Sequence, residues 1–352
     1  MPKAVPSATN WRLSPAPKLS VEEAVHLLSP YNFTEQERQA LKGRWFWPDR
    51  ITMGMDPEFF IADPAGQPIP AFSVLASKKE NPYLFWDGFQ AECTVRPRTC
   101  HQELAKQLAG ALARCTHKIL PTPIWHVPSA FLQTADADHV RLGCDPSYNV
   151  YNMRGRHVED GRQLPWRFAG GHVHFEMAEA QKQPPRVRSC IRALDAILAT
   201  ACVCFAQGVD MAIRRKYYGL PGEFRLPPHG LEYRTLSNFW MYHPAAYHLV
   251  FDLARWAFAI GKGGLRCYIG DPDLVVDIVQ FGDARAARDL VKLNRPLYEA
   301  FLKRYPAAAQ KAFWRAIETG FLKTIPEYGR DINGIWRRVR DAYDQPMWRN
   351  LS

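Results

Sequence analysis

Residues 170–176 alternate, one by one, between two chemical characters. The sequence is Gly-Gly-His-Val-His-Phe-Glu, so His172 and His174 share one parity with the final glutamate, whereas the valine and the phenylalanine share the other. Successive side chains of a β-strand point to opposite faces, so the pattern predicts a strand with one apolar and one ionisable face. Imidazole and carboxylate are metal ligands, although a solvent-facing strand edge would explain an isolated His-x-His equally well.

Three other segments carry ionisable residues at strand-like positions. They are residues 54–61 with Asp56 and Glu58, residues 87–92 with Glu92, and residues 230–236 with Glu232 and Arg234. Burying so many unpaired charges in a sheet covered by helices would be costly. Divalent cations and a phosphate-bearing ligand would offset that cost, so the four segments together favour a functional face over four unrelated polar ones.

The ligand types narrow the choice of metal. Carboxylates outnumber imidazoles in this set, and no cysteine lies among them. Hard cations prefer oxygen ligands, so Mg²⁺ or Mn²⁺ is expected rather than Zn²⁺, and such cations commonly hold the phosphates of ATP. No Walker loop and no G-x-G-x-x-G motif follows a predicted strand, so neither a P-loop nor a Rossmann turn is expected.

Four arginines flank the glycine-rich loop at residues 218–225, namely Arg214, Arg215, Arg225 and Arg234. Arginine makes bidentate contacts with phosphate and carboxylate oxygens, so we expect Arg215, Arg225 and Arg234 to contact a nucleotide. For Arg214 and Arg215 a solvated helix end is an equally good explanation. The strand positions of Arg225 and Arg234 favour a functional role.

Composition excludes few classes of protein. The chain has 352 residues and a formal net charge of +10, which could indicate a nucleic-acid partner, but the basic residues are dispersed, and an anionic nucleotide explains part of the excess equally well. No apolar run approaches the roughly 20 residues that span a bilayer, and residues 1–20 lack an apolar signal core. The eight cysteines lack metal-binding or redox spacing, which is consistent with free thiols in a reducing compartment. Together these features lead us to expect a cytoplasmic protein with no membrane partner.

Hairpins separated by single helices predict an α+β fold with an antiparallel sheet. The expected strands cover residues 51–62, 69–75, 83–86, 89–95 and 231–236, and the expected helices begin at Thr99, at Arg186 and beyond His243. We expect an N-terminal extension at 1–48, a catalytic domain at 49–262 and a C-terminal helical region at 263–352.

Five motifs occur in order along the chain. They are Gly-x-Asp-Pro-Glu-Phe-Phe at 54–60, Asp-Gly-x-x-x-Glu at 87–92, Gly-Gly-His-Val-His at 170–174, Tyr-Gly-x-x-Gly-Glu-Phe-Arg at 218–225 and Gly-Leu-Glu-Tyr-Arg-Thr at 230–235. Over about residues 51–240 the chain resembles the phage-type carboxylate–amine ligases of the glutamine synthetase and glutamate–cysteine ligase superfamily. The resemblance implies a glutamine synthetase-like antiparallel sheet with helices packed on one face.

The resemblance also implies a reaction and a set of roles. Such enzymes use ATP with Mg²⁺ or Mn²⁺ to phosphorylate a carboxylate donor, such as an amino acid or a peptide, and an amine acceptor then displaces the phosphate. The implied metal ligands are Asp56, Glu58, Glu92, His172 and Glu232. His174, Arg225 and Arg234 are implied near the nucleotide, and the two arginines also as catalytic groups. Asp56 stands where the superfamily usually has Glu. Glu176 or Glu223 is left as a further ligand, a base or a surface residue.

Three other functions remain open at this point. Guanidino kinases share this sheet and would phosphorylate a guanidine without forming an amide. A basic nucleic-acid-binding protein would use the positive charge and the aromatic residues. A Zn²⁺-dependent hydrolase would use His172 and His174.

Overall fold

The computed structural model describes residues 51–63, 65, 67–119, 124–125, 129–131, 147–152, 155–156, 166–178, 182–210, 212–263, 271–303, 305, 307–325, 328–329, 332, 334 and 336–338. The expected extension at 1–48 lies outside the described residues. Its boundary, like the one at 262, stays a prediction.

Thirteen strands lie in the described part of the chain. They are β1 (Met53–Ala62), β2 (Pro68–Ile69), β3 (Leu84–Asp87), β4 (Gln90–Cys93), β5 (Val95–Arg98), β6 (Ile124–Trp125), β7 (Ser129–Phe131), β8 (Ser147–Asn149), β9 (Gly155–Arg156), β10 (Trp166–Phe168), β11 (Gly171–Glu176), β12 (Glu223–Arg225) and β13 (Gly230–Tyr233). The main sheet has the order β3-β4-β1-β11-β13-β12-β8-β9, and β2, β5 and β6 also pair with β1. All of these pairings are antiparallel.

Ten α-helices follow or separate these strands among the described residues. They are α1 (His101–Ile119), α2 (Pro184–Ala193), α3 (Thr200–Phe205), α4 (Ala212–Tyr217), α5 (Pro244–Lys262), α6 (Pro272–Phe281), α7 (Ala284–Leu293), α8 (Arg295–Leu302), α9 (Ala307–Thr319) and α10 (Phe321–Thr324). A π-helical segment, Leu194–Ala199, joins α2 to α3 without a break, and two 3₁₀ turns lie at Ala71–Ser73 and Asn238–Tyr242. The α+β class is confirmed.

Several predicted elements differ in extent from those observed. The strand expected at 89–95 is divided between β4 and β5, and the strand expected at 231–236 ends at Tyr233. The strand expected at 69–75 ends at Ile69, because Pro70 has no N–H to donate to the ladder, and a 3₁₀ turn follows. The glycine-rich loop at 218–225 ends in β12, a three-residue strand that pairs with both β13 and β8. A strand this short carries too little alternation to be recognised from sequence.

The two faces of the sheet have opposite surroundings. Val173 and Phe175 of β11 are fully buried, and the ring of Phe175 stacks on Phe258 of α5 with 4.2 Å between centroids. On α1, Leu104 and Leu108 are also fully buried. The helices therefore cover the apolar face, and the other face carries the ionisable residues.

The C-terminal helices share the core of the sheet region. The ring of Phe205 on α3 stacks on Phe321 at 4.5 Å and meets Phe313 edge-on at 5.5 Å, while the Tyr298 hydroxyl donates to the Ile197 carbonyl at 2.8 Å. One cluster of buried apolar residues runs from Ile51 to Trp336. None of the described helices combines the length and the apolar character needed to cross a membrane.

Candidate active site

Strand pairing brings the predicted ionisable residues together on one face of the sheet. The opposed pairs are Glu58 with Glu92, Asp56 with His172, His174 with Glu232, and Glu232 with Arg225. These residues come from β4, β1, β11, β13 and β12, which are consecutive neighbours in the sheet. Directly opposed side chains on one face lie within contact range, so the pairs form a continuous polar surface.

Three carboxylates crowd one end of this surface. Glu58, Asp87 and Glu92 each offer an oxygen within 4.8 Å of the others. Burial, followed by repulsion from Glu58, raises the pKa of Asp87 to about 7. Burial and then repulsion from neighbouring carboxylates raise the pKa of Glu92 well above its ordinary range. Lys78 lies 3.8 Å from Glu92, but its side chain is 64% exposed, so solvent weakens its compensation.

Asp87 was not predicted as a site residue. An Asp-Gly pair between two strands is typical of a hairpin turn, and Gly88 does adopt a left-handed φ of 62°. Asp87 is nevertheless the last residue of β3 and lies opposite Gln90, two residues from Glu92 on β4. Because Gln90 and Glu92 point to the same face of β4, the pairing of Asp87 with Gln90 places Asp87 on the face of Glu92, and this alternation is the signal that could have revealed it.

Glu58 is held from two sides. Its Oε2 accepts the backbone N–H of Gly170 at 2.6 Å, and its Oε1 accepts the hydroxyl of Tyr218 at 2.8 Å. Burial is the largest influence and raises the pKa of Glu58, although Arg234 and these hydrogen bonds oppose it. The carboxylate is thus oriented before any ligand arrives.

His172 is a neutral imidazole in this environment. Burial, followed by repulsion from Arg234, lowers its pKa well below the usual value. Its Nδ1 lies 3.4 Å from Glu232 Oε1, and its Nε2 lies 3.0 Å from the Tyr218 hydroxyl. A neutral imidazole has a lone pair that can bind a cation.

His174 has a different partner. Its Nε2 lies 3.0 Å from Asp56 Oδ2, and its Nδ1 lies 3.1 Å from Nε2 of His229. Burial lowers the pKa of His174, but attraction to Asp56 outweighs it and the net pKa is raised. Asp56 is therefore engaged with an imidazole and lies outside the group formed by Glu58, Asp87 and Glu92.

Arginines occupy the other end of the surface. Arg234 Nη1 donates to Glu232 Oε1, and Arg225 Nη1 lies 3.7 Å from Glu232 Oε2. Arg225 Nε is buried and has no hydrogen-bond partner among the described residues, while 24% of the side chain remains exposed. A buried guanidinium donor without a partner is costly, so Arg225 has capacity for an anionic ligand.

Tyr218 lies at the centre of the surface and had no predicted role. Besides Glu58 and His172, its hydroxyl accepts from Arg234 Nη2 at 3.2 Å. The glycines that flank its loop, Gly219 and Gly222, have φ values of 65° and 78°. Those positive values explain the Gly-x-x-Gly spacing, but no periodicity identifies a tyrosine as central to a site.

Arg214 and Arg215 share a carboxylate partner, Asp210. Arg214 donates to both carboxylate oxygens of Asp210, at 2.9 and 3.0 Å, and to the Thr235 carbonyl at 2.9 Å. Arg215 donates to Asp210 at 2.9 Å and is also buried. Arg215 is thus engaged by a protein carboxylate, and its contact with a nucleotide stays a prediction. The solvated helix end, which was the alternative for both arginines, is wrong because both side chains are buried.

The two remaining candidate carboxylates have separate positions. Glu176 is exposed at the end of β11, where it pairs with Gly230. Glu223 is buried, and its carboxylate accepts the backbone N–H of Leu220 at 3.1 Å. Glu223 thus closes the loop that carries Tyr218.

A family model described as "Phage phiEco32-like COOH.NH2 ligase-type 2" matches residues 161–260. The chain resembles the phage-type carboxylate–amine ligases. The matched ligase segment includes His172, Arg225, Glu232 and Arg234, whereas the three-carboxylate group precedes it. No curated protein matches the chain.

Among solved structures, a bifunctional glutathione synthetase from Pasteurella multocida is similar with a TM-score of 0.48 and 10% sequence identity. The similarity covers 89% of this chain and 53% of that one, so the chain spans about half the length of that enzyme.

Proposed function

We propose that the protein is an ATP-dependent, ADP-forming carboxylate–amine ligase that makes an amide or peptide bond through an acyl-phosphate intermediate. The observation that carries this proposal is the layout of one sheet face, with three repelling carboxylates at one end and two arginines at the other. The proposal includes a glutamine synthetase-like identity for the sheet and Mg²⁺ or Mn²⁺ as cofactor. The family match over residues 161–260 supports the ligase class.

The donor set fits divalent cations. Glu58, Asp87 and Glu92 supply oxygen ligands; burial raises the pKa of all three, repulsion adds to the rise for Asp87 and Glu92, and a bound cation would oppose both effects. Neutral His172 adds a nitrogen ligand close to Glu58, with 4.0 Å between Nδ1 and Oε1. The cations, when bound, would neutralise charge on a transferring phosphoryl group.

Asp56 and Glu232 are proposed as further metal ligands, provided that their present partners move away from them. Asp56 is engaged by His174, and Glu232 is engaged by Arg225 and Arg234. For either carboxylate to bind a cation, its present partner has to shift towards another anion. A nucleotide phosphate is such an anion, which links metal binding to occupation of the arginine end.

The side chains of this site account for the remaining chemistry. Arg225 and Arg234 would bind phosphoryl oxygens and stabilise the charge that develops on them. His174 lies on the same face, between Asp56 and His229, and is proposed as a nucleotide neighbour. Phosphorylation of the donor supplies the leaving group that a free carboxylate lacks, so an amine can then attack.

The decisive experiment is a turnover assay on the purified full chain. Protein with Mg²⁺ or Mn²⁺ and ATP is incubated with mixed amino acids and peptides; ADP is quantified, and new amides are identified by mass spectrometry. Transfer of ¹⁸O from a labelled carboxylate into phosphate would reveal the acyl phosphate. Glu58→Gln should abolish both signals, while Glu299→Gln, which changes a half-exposed carboxylate on α8, serves as the matched control.

Other outcomes identify other functions. ADP formation with a phosphorylated guanidine and no amide would indicate a guanidino kinase-like enzyme. Salt-sensitive nucleic-acid binding that survives Glu58→Ala and Glu232→Ala would indicate a nucleic-acid-binding protein. ATP-independent hydrolysis with bound Zn²⁺ would indicate a hydrolase. An absence of ATP binding and turnover across a broad substrate screen would overturn the ligase proposal.

A further inference from the structure

A buried carboxylate, Asp195, lies behind the sheet and outside the site described above. It is 0% exposed and occupies the π-helical segment Leu194–Ala199 between α2 and α3. A π-helical segment changes the side-chain direction relative to a regular α-helix, and such segments frequently occur at functional sites. The other five residues of the segment are apolar, so a carboxylate at this buried position requires a specific explanation.

Asp195 collects hydrogen bonds from three separate parts of the chain. Its Oδ1 accepts the hydroxyl of Tyr233 at 2.6 Å, and its Oδ2 accepts the hydroxyl of Tyr151 at 2.8 Å. The backbone N–H of Gly222 also donates to it. A charge in such a position is tolerated only when its oxygens are well supplied with donors.

Two of the donors belong to segments that carry a residue of the arginine end, and the third packs against one of these segments. Tyr233 lies between Glu232 and Arg234 on the chain, and its side chain points to the opposite face of the sheet. Gly222 immediately precedes β12, which ends at Arg225. Tyr151 packs against Gly222 so closely that a Cβ there would be 2.5 Å from the ring.

Backbone hydrogen bonds complete the linkage. The Arg234 N–H donates to the Glu223 carbonyl at 3.1 Å, and the Val150 N–H donates to the Gly222 carbonyl at 3.0 Å. Backbone hydrogen bonds therefore join the loop with Tyr218 to the strands that lead to Arg225 and Arg234. The hydrogen bonds to Asp195 hold the same segments from the opposite face of the sheet.

We propose that Asp195 is a positioning residue that fixes Arg225 and Arg234 relative to each other from the far side of the sheet. The role of the arginines in binding phosphoryl oxygens rests on the proposed function, but the control of their loop by Asp195 does not. Misplacement of a binding group by about 1 Å can cost on the order of a hundredfold in rate, so a clamp on this loop has a direct catalytic consequence.

Hydrogen exchange and kinetics together test the proposal. Asp195→Asn keeps the shape of the side chain but replaces one acceptor oxygen by an amide. We expect faster amide exchange in peptides that cover residues 218–225, with no change in peptides that cover 244–262. Where turnover is measured, kcat should fall about tenfold to a hundredfold. The matched control is Asp252→Asn on α5, a buried carboxylate that accepts from the Tyr305 hydroxyl away from the site.

The outcomes separate cleanly. Selective loosening of 218–225 in Asp195→Asn but not in Asp252→Asn supports the proposal, even if the wild-type protein turns over no ATP. Unchanged exchange in that loop, or equal effects of the two variants, overturns it. If Asp195→Asn does not fold, Tyr233→Phe removes one donor and keeps the carboxylate; it should loosen the same loop, and failure to do so would equally overturn the proposal.

Discussion

Asp87→Asn should stabilise the metal-free protein while weakening its affinity for cations. The side chain lies in the group of three carboxylates, where burial and repulsion from Glu58 raise its pKa. Replacing the acid by its amide removes the repulsion and conserves the shape. It also removes an anionic oxygen that a divalent cation would use as a ligand.

The pKa sets the size of the stability effect. A difference of one in pKa corresponds to ~1.4 kcal/mol, so a rise from 3.8 to about 7 corresponds to about 4 kcal/mol at pH values well above 7. Because the folded-state pKa is the higher one, the stability contribution of this group is fully present below 3.8 and is lost as the pH rises through about 7. At about pH 5 the cost of the wild-type carboxyl shrinks to roughly 1.6 kcal/mol. The advantage of the asparagine variant should therefore grow with pH.

Thermal unfolding in the presence of EDTA, at several pH values, measures this advantage. Asp277→Asn makes the same chemical change on an exposed residue of α6 and should show no such growth with pH. Titration with Mn²⁺, followed by electron paramagnetic resonance, should give an affinity at least ~10-fold weaker for Asp87→Asn than for the wild type. A lower melting temperature in EDTA near pH 8, or unchanged Mn²⁺ affinity, would refute the reasoning.

Further predictions concern the rest of the site. His172→Ala should abolish ATP turnover without unfolding the protein; a collapsed melting transition would instead indicate a structural histidine. Tyr218→Phe removes the hydroxyl shared by Glu58 and His172, and loss of a partner in a buried charged network costs ~1.5–3 kcal/mol. We expect kcat/KM to fall roughly tenfold to a hundredfold, and steady-state kinetics identical to wild type would contradict this. Mn²⁺ binding should release protons, since burial and repulsion raise the pKa values of Asp87 and Glu92; calorimetry in buffers of different ionisation enthalpy counts them, and a buffer-independent heat would argue against it.

The polar face of the sheet could be predicted from the sequence because a strand has only two faces. Once Asp56, Glu58, His172 and Glu232 were assigned to strands, parity separated them from the apolar face of each strand, and the observed register places them on a single side of the sheet. The pairing of His174 with Asp56 was not predictable, because a diagonal contact between strands depends on twist and rotamer rather than on spacing.

Tyr218 and Asp195 could not be recognised from the sequence. Tyr218 lies in a loop and Asp195 lies in a π-helical segment, and neither setting has a periodicity that marks a side chain as important. Arg215 is a different case, since its charge suggested a nucleotide ligand, whereas in the structure it donates to the carboxylate of Asp210. The available signal was an aspartate only four and five residues before the two arginines.

Strand β1 pairs with five other strands. In the sheet it lies between the β3–β4 hairpin, which carries Asp87 and Glu92, and the strands β11, β13 and β12, which carry the histidines and Arg225. The two ends of the site are thus encoded more than a hundred residues apart and meet only across this strand. A ligand that touches both ends would bridge early and late parts of the chain. Its binding energy would then oppose separation of the sheet at β1, so nucleotide and metal together should protect the whole sheet against unfolding rather than one loop.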